Sequence, residues 1–140
     1  MAMNLERTYL LSGLGYGALG MSLGIHMAAS HDHGQAITHA HLLLVGFLLS
    51  VIYALIHKLW LSAPPKVLAR IQFAAHHLGV IMMVTGLFLL YGGHVPGDRL
   101  EPLLASSSII VLTALILMIV LLLVPARKTS ATGSQHSTPP

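Results

Sequence analysis

The sequence predicts an all-α membrane protein, a bundle of four transmembrane helices with both termini cytoplasmic. Three observations predict it. Of the 140 residues 55% are hydrophobic and only 8% are charged, against roughly a quarter charged in a soluble domain. Four apolar stretches, 8–29, 37–60, 71–92 and 102–124, are each long enough to cross a hydrocarbon layer of about 30 Å. In the resulting four-span arrangement Arg7, Lys58, Lys66, Arg70, Arg127 and Lys128 share one face and only Arg99 lies on the other, the bias that turns the basic face to the cytoplasm. The basic pI of about 9.6 follows from the same bias, so the partner it implies is the lipid bilayer and not a nucleic acid. An integral protein of a bacterial inner membrane is the expectation.

The first stretch, "TYLLSGLGYGALGMSLGIHMAA", is too long for a signal-peptide core and is expected to be retained as a helix. Its pairs Gly13/Gly17 and Gly20/Gly24 are four apart, so each leaves a bare patch on one face, for close helix packing or for a flat cofactor. The outer loop "SHDHGQAI" follows, with His31, Asp32 and His33. After the second helix, Pro64 and Pro65 in "LSAPPKVLAR" stop helix continuation, and Trp60 lies at the expected interfacial level. The third helix leads into a second outer loop, "GGHVPGDRLEP". The fourth, "LLASSSIIVLTALILMIVLLLV", has no ionisable group and reads as a wall, its Ser106, Ser107, Ser108 and Thr113 bonding to their own backbone or a neighbour. Residues 1–124 thus form one transmembrane domain. The tail 125–140, with His136, has the composition of a disordered end.

Ten histidines carry the chemical information. Six of them, His26, His39, His41, His57, His76 and His77, fall within the apolar spans, where an ionisable group is costly and a functional reading is the default. Neutral imidazole is the commonest nitrogen ligand of haem iron and transition metals. Without cysteine, iron–sulfur ligation and thioether-linked haem are excluded, so any haem is held by axial ligands and non-covalent contacts. The candidate haem ligands are His39, His41, His76, His77, His57, His26 and His94. His39 and His57 are 18 residues apart, as are His76 and His94, which is five helical turns or about 27 Å. Equal spacing on antiparallel helices suggests two stacked haems, one between His39 and His94 and one between His57 and His76. Levelling Lys58 with Arg70 leaves these pairs about five residues, roughly 7 Å, out of register.

The run "GIHMAASHDHGQAITHAHLLLVGFLLSVIYALIHKL" with "FAAHHLGVIMMVTGLFLLYGG" resembles small four-helix membrane proteins related to haem-copper oxidase subunit I. The shared pattern is His39-Ala40-His41-Leu42 with Gly46 opening the second helix, and His76 with Leu78-Gly79 in the third. The resemblance covers residues 20–93, and the fourth helix matches only in being apolar. In the large oxidase subunit a His-x-His at a comparable place ligates two haems from opposite sides of one helix. It therefore implies haem b here, one or two per protomer, with His39 and His41 serving different irons, since residues two apart point about 200° apart. His26, His57, His77 and His94 have no counterpart in the pattern.

Three functions follow as expectations. The first is a b-type haem protein for electron transfer or for binding dioxygen or nitric oxide, working with a redox partner or quinol and as a homo-oligomer. The alternative is a copper, zinc or nickel protein using Met27, His31, Asp32 and His33 in the outer loop. An accessory subunit without a cofactor is the third, and it leaves the histidines without a purpose. Glu6, Asp32, Asp98 and Glu101 all lie at the membrane edges, so no buried acid or nucleophile serves hydrolysis. Any enzymatic role is that of an oxidoreductase component.

Overall fold

Three of the four helices start at a capping side chain or directly after a proline. Asn4 Oδ1 accepts the Arg7 N–H at 3.3 Å to open α1, Leu5–Ser30. Pro65 and Pro96, with φ of -57° and -59°, immediately precede α3, Lys66–Tyr91, and α4, Gly97–Leu123, where a missing N–H removes no helical bond. Between them α2 spans Ala36–Leu59. The ends are as local: α1 stops at His31 in the left-handed region (φ 55°), and Gly93 (φ 68°) turns the chain after α3. The computed structural model describes residues 4–61 and 63–124. The expected tail 125–140, with Arg127, Lys128 and His136, lies outside the described residues.

All regular structure among the described residues is helical. Three helices, α2, α3 and α4, are long and apolar enough to cross a membrane. At 26 residues α1 is also long enough, but its glycines, serines and tyrosines dilute the hydropathy below that of the other three. The starts of α3 and α4 lie five residues ahead of the apolar stretches at 71 and 102, because proline capping rather than hydropathy sets them. One feature was not expected from the sequence. Leu42–Leu48, directly after the His39-Ala40-His41 run, winds as a π-helix inside α2, a local geometry found mostly as short bulges and often at functional sites.

The bundle is built from two antiparallel hairpins, α1/α2 and α3/α4. On α1, Gly13, Gly17, Gly20 and Gly24 form a groove for α2. A Cβ at Gly13 would lie 3.0 Å from Ser50 Cβ, at Gly17 3.1 Å from the Phe47 ring, at Gly20 2.7 Å from Leu43 and at Gly24 2.8 Å from His39. The glycine patches thus serve helix packing, not a cofactor between α1 and α2. On α3, Gly79 and Gly86 do the same for Val111 and Leu104 of α4. Ser106, Ser107, Ser108 and Thr113 donate back to carbonyls of α4 itself, so they present no polar group to lipid.

At the Lys/Arg-rich end the two hairpins are joined by the buried core of Tyr9, Tyr53, Ala54, Ala69, Met118 and Leu121. At the other end the start of α2 runs against α3, where Gln35 Nε2 donates to the Phe88 carbonyl at 3.0 Å, and an apolar groove opens between α1, α2 and α3.

Candidate functional site

Two polar constellations lie within the bundle, one in each half. The inner one joins the hairpins. Tyr9 O–H donates to Gln72 Oε1 at 2.6 Å, and Gln72 Nε2 donates to the Ala114 carbonyl at 3.3 Å, so a single side chain on α3 ties α1 to α4. Ser50 Oγ on α2 and His76 Nε2 on α3 are 2.8 Å apart. Around Tyr9 the rings of Tyr53, His57, Phe73, His76 and His77 have centroids 4.7–5.8 Å away.

His77 is engaged at both ring nitrogens by α1: Nε2 is 3.2 Å from Ser12 Oγ and Nδ1 is 3.1 Å from the Tyr16 hydroxyl oxygen, so in either tautomer one contact has the ring as donor and the other has it as acceptor. Both nitrogens of His77 are engaged within the protein. His76 and His57 differ: His76 Nδ1 and His57 Nε2 are buried with no partner, as is Tyr53 O–H. Orphaned buried polar atoms are rare and call for an explanation. The Tyr9 ring packs against both His57 and His76, so this pair encloses a tyrosine rather than an open slot.

The outer constellation is the groove between α1, α2 and α3. It has a volume of about 340 Å³ and is lined by Leu19, Leu23, Thr38, Leu42, Val84 and Phe88 among others, within the size range of small-molecule sites. On the α2 wheel Thr38 and Leu42 face it, and at 100° per residue His39 and His41 flank that direction, each about 80° from its centre. Their protonation follows from their partners. His39 Nδ1 donates to the Gly20 carbonyl of α1, and His41 Nδ1 to the Ile37 carbonyl of α2, both at 2.8 Å. A carbonyl only accepts, so in each neutral ring Nδ1 carries the hydrogen and Nε2 the lone pair. That arrangement is the one found in metal-ligating histidines, whose second nitrogen is fixed by a carbonyl or carboxylate.

The remaining candidates are scattered. His26, His31 and His33 are exposed. Asp32 Oδ1 accepts the Gly34 N–H at 2.9 Å, an Asx turn that orders the loop. Among the described residues no three His, Asp or Glu side chains converge as a metal-ion site. His94 lies beyond the end of α3, stacked on Phe88 with centroids 6.1 Å apart, so its 18-residue separation from His76 is not a helical repeat. His41 and His76 are not brought together either. His76 is level with Ser50, nine residues along α2, roughly 13 Å of helix, and the His41 ring leans the other way, toward Ile37.

A histidine-centred reading of the sequence misses Tyr9, Ser12, Tyr16, Ser50, Tyr53 and Gln72. A glutamine or hydroxyl in an apolar span requires a partner for the same reason an imidazole does. Compared with known protein families, curated proteins and solved structures, the chain matches none.

Proposed function

We propose that the protein is a membrane-embedded b-type haem protein, akin to a minimal haem-copper oxidase subunit I unit, acting in electron transfer or in the binding of dioxygen or nitric oxide. The observation that carries this reading is the pair of Nδ1–H bonds to backbone carbonyls, which leaves His39 Nε2 and His41 Nε2 as bases on α2, to either side of the Thr38 and Leu42 face that lines the apolar groove. These residues have the chemistry an iron porphyrin would need: His39 and His41 would supply imidazole nitrogen, and the walls at Leu19, Leu23, Leu42 and Val84 would supply apolar contact. When bound, haem supplies one-electron redox chemistry or an iron site for a diatomic gas. The chain's part is to hold each ring in one tautomer, through Gly20 and Ile37, and to exclude water with Leu19, Leu23, Leu42 and Phe88. Because His39 and His41 point in different directions, they would not hold one haem together; the proposal includes a homo-oligomer working with a redox partner or quinol.

The copper, zinc or nickel reading needs three or four converging donors, whereas a haem needs one or two imidazoles. No such convergence exists among the described residues. We further place all four helices across a bacterial inner membrane with both termini cytoplasmic, supported by the Lys and Arg distribution.

The test is spectroscopic. Protein purified in detergent and incubated with haemin should give a Soret band that shifts on dithionite reduction, with a pyridine haemochrome count of one or two per chain. His39→Ala and His41→Ala should each remove haem or convert it to high spin. A colourless protein after incubation, or spectra unchanged in both variants, would overturn the proposal.

A further inference from the structure

A second groove lies between the start of α1 and the end of α2. Its volume is about 300 Å³, and its walls are Leu10, Val51, Ala54 and Leu55 with Asn4, Glu6, Arg7 and Lys58 at its mouth. The charge is segregated along its length. Leu10 is three residues from Arg7, and Leu55, Ala54 and Val51 are three, four and seven from Lys58, so the apolar part extends about 10 Å deeper than the cations. Leu10 and Leu55 are 42% and 51% exposed, so the groove opens sideways to lipid. Lys58 Nζ is 3.7 Å from Glu6 Oε1, whereas Arg7 has no carboxylate partner among the described residues. The mouth therefore carries a net positive charge, at the level where Trp60 marks the interface.

We propose that this groove binds one anionic glycerophospholipid from the leaflet at the Lys/Arg-rich face. The phosphate rests on Arg7 and Lys58, and one acyl chain lies along Leu10, Val51, Ala54 and Leu55. A single charged level above a hydrocarbon channel matches one lipid. A choline lipid carries a cation of its own and so gains less from a mouth whose two cations outnumber the single Glu6 carboxylate, and a peptide would find no polar partner below the mouth. Basic clusters at the cytoplasmic edge of transmembrane helices attract anionic lipid at about fivefold in affinity per cation.

The full chain, reconstituted in vesicles of equal parts phosphatidylglycerol and phosphatidylcholine, is extracted gently and its retained lipids are read by native mass spectrometry. Wild type should retain one phosphatidylglycerol per chain in preference to phosphatidylcholine. Arg7→Gln with Lys58→Gln should lower that retention by about fivefold per cation removed, and Leu10→Trp, which fills the channel and keeps both charges, should lower it too. Equal retention of the two lipids by wild type, or phosphatidylglycerol retained undiminished by Leu10→Trp, would overturn the assignment. Should the double variant fail to fold, those two measurements decide it.

Discussion

His39, His41 and His77 show how the same side chain takes different roles according to what its two nitrogens meet. His77 is satisfied by Ser12 and Tyr16 on α1 and acts as a clasp between hairpins. His39 and His41 are satisfied only on Nδ1, and their Nε2 lone pairs are the ones offered to a ligand. Expected accordingly is that His77→Ala keeps the reduced-minus-oxidised haem spectrum while lowering the midpoint of thermal unfolding in detergent, whereas His41→Ala loses the spectrum and keeps the midpoint. The Tyr9–Gln72 bond gives a second residue-scale prediction. Tyr9→Phe leaves Gln72 Oε1 buried without a donor and should destabilise by about 1 kcal/mol. Gln72→Leu in the Tyr9→Phe background should then cost less than it does alone, which a double-mutant cycle read by equilibrium unfolding in mixed micelles measures. The sequence made the importance of intramembrane imidazoles legible because their cost in hydrocarbon needs no coordinates. Which imidazoles pair internally was not legible, since it depends on Ser12, Tyr16 and Ser50 arriving from other helices.

At the scale of elements, close approach governs α1. Gly13, Gly17, Gly20 and Gly24 all meet α2, but Gly15 meets nothing within 4 Å. Gly13→Ala places a methyl 3.0 Å from Ser50 Cβ and 3.3 Å from the Phe47 carbonyl oxygen, neither of them a flexible side-chain end, and should destabilise by about 1–3 kcal/mol. Gly15→Ala meets no neighbour and should be neutral or stabilising by up to about 1 kcal/mol. The same unfolding measurement on both variants checks the contrast, and equal effects would mean that α1 does not pack on α2 through this face. The four-apart glycine pairs were legible in the sequence as a packing face because spacing alone puts them together. Helix starts were less so: hydropathy places them at 71 and 102, while Pro65 and Pro96 begin the helices at Lys66 and Gly97. The π segment Leu42–Leu48 had no composition cue, because any apolar run can take that winding when the opposing helix requires it.

For the whole molecule, α1 decides the topology. Its hydropathy falls short of that of α2, α3 and α4, yet glycine-mediated packing sets it alongside α2 from Gly24 against His39 to Gly13 against Ser50. In the proposed four-span arrangement a helix held along that length against a membrane-spanning neighbour would cross with it, since glycine-rich spans are tolerated when a partner helix fills the missing volume. That arrangement would put the two ends of α1 on opposite faces, Asn4 with Ala63 on the basic side and Asp32 on the other. The chain has no cysteine, so single cysteines report position without background. Asp32→Cys in intact cells should react with a membrane-impermeant maleimide, and Asn4→Cys and Ala63→Cys should react only after permeabilisation. If Asn4→Cys instead labels like Asp32→Cys while Ala63→Cys remains protected, α1 lies along the surface. Both flanks of the outer groove would then be differently placed, because Leu19 and Leu23 of α1 form one of its walls and the Gly20 carbonyl fixes the tautomer of His39. Topology and ligand chemistry thus depend on the same helix, and the labelling pattern tests them together.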